Sequence, residues 1–288
     1  MDKIIGIGRL GCTIADELSA YPEYRVYKIG TDLEERGSLS IPLQPDIEAY
    51  EKNIDAAECS IYLRSIRDGD EVLVIVEGGD PIVGILLRIL EPIKDASISI
   101  LYIAPDRDMI SEIQKRDNRI TFHVLQQYAR SGRFSRIFLL DRAEAEGLME
   151  DVAIHEYEQK LANFISYVIA MINYFDHSPS VISSKVSIPE ICRIATFGIS
   201  SLEADRSVNF LYPLEAIAGI HFYYGVPAEQ LDKDTTLIKK IKDHVKDYQK
   251  SAQSVSYSVH ATNYNDLMVL CILFSSLVQN HDNGTNSF

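Results

Sequence analysis

The first 140 residues alternate between short apolar runs and helix-like patterns, and this alternation limits the possible folds more than any other feature of the sequence. The run from Val72 to Val76 is entirely apolar, which is typical of a strand covered on both faces of a parallel sheet. Such runs predict strands at Lys3–Ile7, Tyr24–Ile29, Glu71–Val76, Ile98–Ala104 and Arg136–Leu140. We therefore predict a doubly wound, mostly parallel α/β sheet, with a ligand site where the strands end.

Helix patterns occupy the intervals between these strands. They are predicted at Cys12–Tyr21, at Ile47–Ile66 with a potential break near Ala56, and at Ile82–Lys94, Asn118–Arg130 and Ile154–Phe175. The last pattern carries few charges after Lys160, so we predict a helix that is buried between layers or domains. We interpret this helix as the connection between two domains.

A smaller α+β domain is predicted after His177. Its expected elements are a helix at Pro189–Gly198, a strand at Ala216–Tyr224, a helix at Leu231–Lys250, and strands at Ser254–His260 and Leu267–Phe274. The expected boundaries are 1–153 for the sheet domain, 154–176 for the connecting core helix, 177–280 for the α+β domain and 281–288 for a flexible tail.

Composition and charge exclude several classes of protein. The formal net charge of -14 repels nucleic acid and anionic membranes from the surface as a whole. No apolar stretch is long enough to span a membrane, and the amino end lacks the pattern of a signal peptide. The four cysteines are far apart and have no metal-binding spacing. We therefore expect a soluble cytoplasmic protein, with no nucleic acid and no membrane as a direct partner.

The strongest motif is a GxGxxG sequence formed by Gly6, Gly8 and Gly11, placed between the first predicted strand and the first helix. Glycines let the backbone approach phosphate oxygens, and the helix amino end supplies free N–H groups and a positive dipole end. We predict a phosphate-binding loop here. The open alternative is a tight strand-to-helix turn without a ligand. If the loop binds phosphate, we expect Gly11→Val to abolish binding and leave the fold intact.

A second glycine pair, Gly78 and Gly79, follows the buried strand and precedes Asp80 and Pro81. This segment is a candidate second phosphate loop. It is also what an ordinary capped helix requires, since Asp80 suits an N-cap and Pro81 the first helical turn. A carboxylate beside a phosphate is repulsive unless a metal ion intervenes.

Two single acids complete the candidates. Asp32 follows the second strand about twenty residues after the glycine motif, where a dinucleotide fold binds a ribose hydroxyl. An NAD-type enzyme is therefore an alternative, although no constellation of dehydrogenase residues is evident. Glu190 could orient or deprotonate a water molecule, or it could simply complement a helix dipole.

Taken in order, these elements resemble the tubulin/FtsZ family over roughly residues 1–280. The segment from Ile5 to Thr13 resembles the family's first phosphate loop, apolar-G-x-G-G-G-G-C-N. The residues in register with that motif are Gly6, Gly8, Gly11 and Cys12, while Arg9 and Leu10 replace glycines and Thr13 replaces asparagine. Further similarities lie at Gly30–Asp32 (the family's N-T-D), Val72–Gly84 (its glycine-rich signature loop), Arg136–Leu148, Ile154–Phe175 (its core helix) and Asn265–Asp266 (its late N-D).

Two departures fall on the expected chemistry. The signature loop reads Gly78-Gly79-Asp80-Pro81-Ile82-Val83-Gly84, so the threonines and most of the glycines that surround the phosphates are missing. The acid pair that completes the family's GTPase site is reduced to Glu190. Asn163 is the nearest match to the guanine-reading asparagine of the core helix.

The resemblance implies a protein that binds GTP or GDP, with Mg²⁺ left open, and that self-associates head to tail into filaments. It implies slow or absent GTP hydrolysis, because of the two departures. The candidate nucleotide-binding residues are Gly6, Gly8, Arg9, Leu10, Gly11, Cys12, Asp32, Gly78, Gly79, Asp80 and Asn163, and the candidate catalytic residue is Glu190. The alternatives are a structural or partner-binding pseudo-enzyme of the same fold without nucleotide, and the NAD-type enzyme.

Overall fold

A computed structural model describes residues 1–184, 186–202 and 206–280 of the chain. The chain divides into two compact units. The first comprises Met1–Ser166 together with Asn280, and the second comprises Tyr167–Gln279. The expected flexible tail at 281–288 lies outside the described residues.

The first unit is built on a parallel sheet, as predicted. Its strands are β1 (Lys3–Ile7), β2 (Arg25–Gly30), β3 (Leu39–Ser40), β4 (Glu71–Glu77), β5 (Ser97–Ala104) and β6 (Arg136–Asp141). Their order is β3-β2-β1-β4-β5-β6, and every neighbouring pair is parallel. The central strands are buried along nearly their whole length, as expected for a sheet covered on both faces.

Seven helices accompany this sheet in the described part of the chain: α1 (Gly8–Leu18), α2 (Ile47–Asn53), α3 (Ala56–Leu63), α4 (Leu86–Leu90), α5 (Glu112–Arg130), α6 (Arg142–Glu146) and α7 (Tyr157–His177). The predicted break near Ala56 is confirmed, since Asp55 starts α3 by accepting hydrogen bonds from the backbone N–H groups of Ala57 and Glu58.

Among the differences from the predicted helices, three lie before α6. The first helix begins at Gly8, immediately after β1, and not at Cys12. The segment 81–93 is a short 3₁₀ turn, α4 and a second 3₁₀ turn, and not one helix, because Pro92 cannot donate to a continuing helix. Helix α5 begins six residues earlier than predicted, because Ser111 and Gln114 form a capping box.

Helix α7 is the long apolar helix predicted from the sequence, displaced toward the carboxyl end by about two to three residues. It runs over Tyr157–His177 and continues from the first unit into the second. None of the helices in the described residues combines the length and the apolar character needed to cross a membrane.

The second unit contains a mixed sheet. Its strands are β7 (Ile182–Ser183), β8 (Ile194–Ser200), β9 (Val208–Phe210), β10 (Ile217–Pro227), β11 (Ser254–Thr262) and β12 (Met268–Ser275), and its helices are α8 (Ala228–Lys233) and α9 (Leu237–Asp247). The order is β8-β12-β10-β11-β7, with β9 beside β8. Strands β10 and β11 are parallel and are connected through α8 and α9, whereas the other pairs are antiparallel.

The helix predicted at Pro189–Gly198 is wrong. The backbone N–H of Cys192 donates to the carbonyl of Pro189 at 2.9 Å, which closes a turn, and the chain then enters β8. Strand β8 pairs with β12 over seven residues, and Gly198 packs so closely against Val208 and Cys271 that a side chain would not fit. Pairing with a strand some seventy residues later therefore determines this segment.

Candidate functional site

The carboxyl edge of the first unit's sheet, where its parallel strands end, collects most of the predicted site residues. Gly8 follows β1, Asp32 lies just beyond β2, and Gly78 to Asp80 follow β4. Since β2, β1 and β4 are adjacent in the sheet, the sequence-distant candidates lie side by side. This is the edge at which open α/β sheets bind ligands.

Gly11 serves close packing. A Cβ added at Gly11 would lie 2.6 Å from the carbonyl oxygen of Ile75 on β4, and one at Gly6 would collide with the backbone of Gly11. These two glycines therefore let α1 lie directly against β1 and β4. The expectation that Gly11→Val leaves the fold intact is wrong, because the valine would meet backbone and not a movable side chain.

Gly8 has the conformation that a phosphate site requires. Its φ is +74°, a left-handed value that favours glycine, and it begins α1. The residue before it, Ile7, provides no side-chain cap, and the first turn of α1 contains no acidic residue. The backbone N–H groups of that first turn are thus available to an anion, and the helix dipole favours one.

Asp80 lies over Gly8, and its negative charge opposes the binding of an anion there. Its Oδ2 is 2.8 Å from the position that a Cβ of Gly8 would occupy, and its Oδ1 accepts a hydrogen bond from the backbone N–H of Ile82 at 3.1 Å. Burial raises the pKa of Asp80, and the hydrogen bond from Ile82 offsets this in part. A carboxylate therefore occupies part of the space that a phosphate would need.

Cys12 and Leu10 are buried and contribute to packing. The Cys12 thiol lies 3.5 Å from the carbonyl oxygens of Gly6 and Ile29, and burial raises its pKa to about 11. A thiol of this kind is neither a nucleophile nor a metal ligand near neutral pH. Arg9 is different, since its side chain is 81% exposed and pairs with Glu158 at the start of α7.

Gly78 and Gly79 are positioned by the side chains beneath them. A Cβ on Gly78 would collide with the side chains of Tyr102 and Asn118, which are hydrogen-bonded to each other. Gly79 has a φ of +77° and turns the chain toward Asp80. The turn brings Asp80 back over α1, and we attribute the paired glycines here to this tight return.

Asn163 lies away from the amino end of α1. It accepts a hydrogen bond from Gln159 at 3.2 Å or, with its amide turned over, donates to Glu17 Oε2 at 2.6 Å. Glu17 lies nine residues after Gly8, which is about 13 Å along a helix. The structure therefore places Asn163 beside the last turns of α1.

Asp32 and Glu190 are both exposed. Asp32 has a φ of +55°, a value that aspartate tolerates better than most residues, and it faces solvent beyond β2. Glu190 belongs to the second unit, in the turn that precedes β8.

An ion-pair network at the same edge was not anticipated from the sequence. Arg142, at the start of α6, pairs with Glu77 at 2.7 Å and with Glu146 at 3.0 Å, and its guanidinium stacks over the Tyr157 ring at 5.3 Å. Burial raises the pKa of Glu77 despite the pairing with Arg142. The i,i+4 spacing of Arg142 and Glu146 was the available signal.

The edge is thus a helix amino end suited to an anion, surrounded by carboxylates. Two cations at this edge, Arg9 and Arg142, are already paired with carboxylates. No group of three or more His, Cys, Asp or Glu residues in the described ranges is arranged to hold a metal ion. The amino end of α1 fits a phosphate, whereas Asp80 fits one only if its charge is neutralised.

The overall fold matches solved structures of tubulin-like proteins. CetZ2 from Haloferax volcanii, as a GTPγS-bound protofilament, superposes with a TM-score of 0.72 at 14% identity, over 95% of this chain and 92% of CetZ2. An empty FtsZ dimer from M. jannaschii gives a TM-score of 0.69 at 12% identity, over 100% of this chain and 96% of the FtsZ chain. A GTPγS-form protofilament of TubZ from Bacillus thuringiensis serovar israelensis gives a TM-score of 0.68 at 12% identity, over 97% of this chain and 88% of the TubZ chain.

These likenesses establish the fold. The chain has the tubulin/FtsZ fold, so the resemblance predicted from the motifs is confirmed at that level. No protein-family model matches the sequence, and no curated protein sequence matches it either.

Proposed function

We propose that this chain of the tubulin/FtsZ fold binds a guanine nucleotide at the amino end of α1 and self-associates head to tail into filaments, with slow or absent hydrolysis. The observation that carries the proposal is the uncapped start of α1 at Gly8, at the carboxyl edge of a parallel sheet. The first-turn N–H groups after Gly8 would donate to phosphate oxygens.

Weak hydrolysis is proposed because of two acids. Phosphoryl transfer depends on positioned donors and on neutralised charge around the terminal phosphate. Asp80 adds negative charge beside Gly8 and has no partner other than a backbone N–H among the described residues. Glu190, the single acid retained in the loop that would complete a neighbour's site, is exposed and carries no orienting hydrogen bond in the described part of the chain.

Self-association is supported by the kind of structures that share the fold. CetZ2 and TubZ were both solved as protofilaments. A contact between two different surfaces of identical subunits builds an open filament when its rotation does not close a ring. A cytoplasmic location is part of the proposal, because all four cysteines are free thiols.

The negative charge of Asp80 favours a second function, in which no nucleotide is bound. If its carboxylate stays charged, it can fill the phosphate position itself, and the chain would then be a structural or partner-binding protein of the same fold without nucleotide. Mg²⁺ is expected only together with a nucleotide, whose phosphates would supply the ligands that the edge lacks. NAD binding at Asp32 is tested in the same experiment as a competitor.

The experiment is assembly with and without nucleotide. Purified protein is incubated with GTP, GDP, ATP, NAD or buffer, then sedimented and imaged by electron microscopy while phosphate release is recorded. We expect pelleted filaments with guanine nucleotides and little phosphate release. The Glu190→Ala variant should assemble like wild type, as should the exposed control Glu23→Ala.

Three outcomes would contradict parts of the proposal. Rapid phosphate release that collapses in Glu190→Ala but not in Glu23→Ala would show an intact GTPase. Assembly that is equal in buffer and in GTP would favour the structural function without nucleotide. Assembly that responds to NAD and not to guanine nucleotides would support the dinucleotide-binding enzyme.

A further inference from the structure

A separate pocket lies at the opposite edge of the first unit's sheet, where β5 and β6 begin. It is a cavity of about 550 Å³. Its floor is apolar and consists of Leu90, Ile98 and Phe134, all of which are nearly fully buried. The size falls in the range of pockets that receive a small molecule or a few peptide residues.

The rim of this pocket is basic. Arg88, Lys94 and Arg133 stand around the floor, against two carboxylates, Glu51 and Glu91. The local formal balance is therefore +1, whereas the whole chain carries -14. This local excess is opposite in sign to the net charge of the chain.

The rim cations have few partners within the chain. Arg88 approaches Glu51 at 3.8 Å, with both side chains more than half exposed, so this pair contributes little. Lys94 and Arg133 form no ion pair with any residue in the described ranges. Their charges are available to a ligand that arrives from outside.

An aromatic wall closes one side of the pocket. Tyr128 stacks on Phe134, with ring centroids 5.6 Å apart and planes at 24°, and the Tyr128 side chain is 38% exposed. Apolar and aromatic groups with a charged rim form the pattern of an anchor pocket, in which one apolar side chain is buried and the charges around it fix register.

We propose that this basic pocket, formed by Leu90, Ile98, Phe134, Arg88, Lys94 and Arg133, binds an acidic peptide segment of a partner protein. One large apolar side chain of the peptide sits on the floor, and carboxylates on either side of it pair with the rim. A site of this kind would recruit the subunit or its filament to another protein, independently of the nucleotide edge.

Charge complementarity selects this occupant. Carboxylates match two cations that are unpaired within the described residues, and an apolar anchor would cover the exposed ring of Tyr128 and the partly exposed Leu87 above the buried floor. Nucleic acid is disfavoured because Glu51 and Glu91 interrupt the rim, and because a phosphate backbone needs a longer run of cations than three.

The test is fluorescence anisotropy with labelled nonapeptides and the full chain. The probe is EDEDFDEDE, and its comparisons are EDEDSDEDE, which lacks the anchor, and KRKRFRKRK, which reverses the charge. We expect saturable binding of the probe to wild type, with a Kd below roughly 100 µM. The serine peptide should bind at least about tenfold more weakly, because burying a phenylalanine is worth that much, and the basic peptide should not bind.

Matched variants localise the binding. Arg133→Glu and Lys94→Glu should each weaken binding of the probe about tenfold, because each reversal removes an attraction to the peptide's carboxylates and adds a repulsion. Arg119→Glu makes the same charge change on an exposed position of α5 outside the pocket, and it should change affinity by less than about twofold. Thermal melts confirm that all three variants fold.

Four results would overturn the proposal. These are no saturable binding of EDEDFDEDE to wild type, equal weakening by Arg119→Glu, tighter binding of oligo-dT than of the probe, and loss of self-association in Arg133→Glu. The last result would assign the pocket to a second copy of this chain and not to a partner.

Discussion

The substitution Asp80→Asn isolates the one feature of the site that opposes a nucleotide. Asparagine keeps an oxygen that can accept the hydrogen bond from the backbone N–H of Ile82, so the turn into the 3₁₀ segment is preserved. It removes the negative charge that lies over Gly8. The expected result is a protein of equal or greater stability that binds GTP and GDP more tightly.

The size of the gain follows from the geometry. A phosphate bound to the first turn of α1 would have its charge centre about 5 Å from the Asp80 carboxylate, given ordinary hydrogen-bond lengths. Two unit charges at that distance repel by roughly 3 kcal/mol at an effective dielectric constant of about 20. Wild type can avoid part of this cost by protonating Asp80, whose pKa burial already raises. We therefore expect affinity to increase between about tenfold and a hundredfold.

The assay is a fluorescence titration with mant-GDP at pH 8 and at successively lower pH, because burial raises the pKa of Asp80. The wild-type affinity should rise as the pH falls, because protonation of Asp80 removes the repulsion, and the difference between wild type and Asp80→Asn should shrink accordingly. Asp55→Asn is the matched control, since Asp55 is also an N-cap and begins a different helix, α3. Equal affinities of wild type and Asp80→Asn at pH 8 would refute the assignment of Asp80 as the opposing charge.

Three further predictions concern stability. Gly11→Ala should lower the free energy of unfolding by about 3 kcal/mol or more in urea titrations, because the added Cβ meets the carbonyl of Ile75 at 2.6 Å; a loss below about 1 kcal/mol would contradict this. Arg142→Met should lower the free energy of unfolding by about 2–3 kcal/mol, because it leaves Glu77 buried without its partner. Adding Glu77→Gln to this variant should recover most of that stability. If it recovers none, loss of the pairing is not the cause. Burial lowers the pKa of His244 from 6.5, so the unfolded state takes up the proton first and wild-type stability should fall as the pH drops below about 6.5. Urea midpoints measured from pH 8 to pH 5 should therefore depend less on pH in His244→Gln than in wild type. An equal pH dependence in the two proteins would refute this.

The parallel sheet was predictable because its strands are short continuous apolar runs that few other structures accommodate. The run Val72–Val76 is rich in β-branched residues and is followed closely by two glycines, and this combination favours a doubly covered strand. The segment 189–198 was not predictable in the same way. Short apolar patterns of this length fit helix and strand equally, and β8 is fixed by its pairing with β12.

In the candidate site, too, some features follow from the local sequence and others do not. The start of α1 at Gly8 follows from local chemistry, since glycine supplies the left-handed residue and the turn is immediate. The position of Asp80 over Gly8 follows from the alignment of β1 with β4, which the sequence alone does not give. The pairing of Arg142 with Glu77 joins residues 65 apart in the chain, so no local pattern indicates it.

The measurement that tests the central claim most directly is calorimetric titration of the wild-type chain with GDP, GTP, ATP and NAD. We expect saturable binding of GDP and GTP at one site per chain, tighter than that of ATP or NAD, and tighter still in Asp80→Asn. Absence of guanine-nucleotide binding in both proteins would contradict it, and preferential binding of NAD would do so as well.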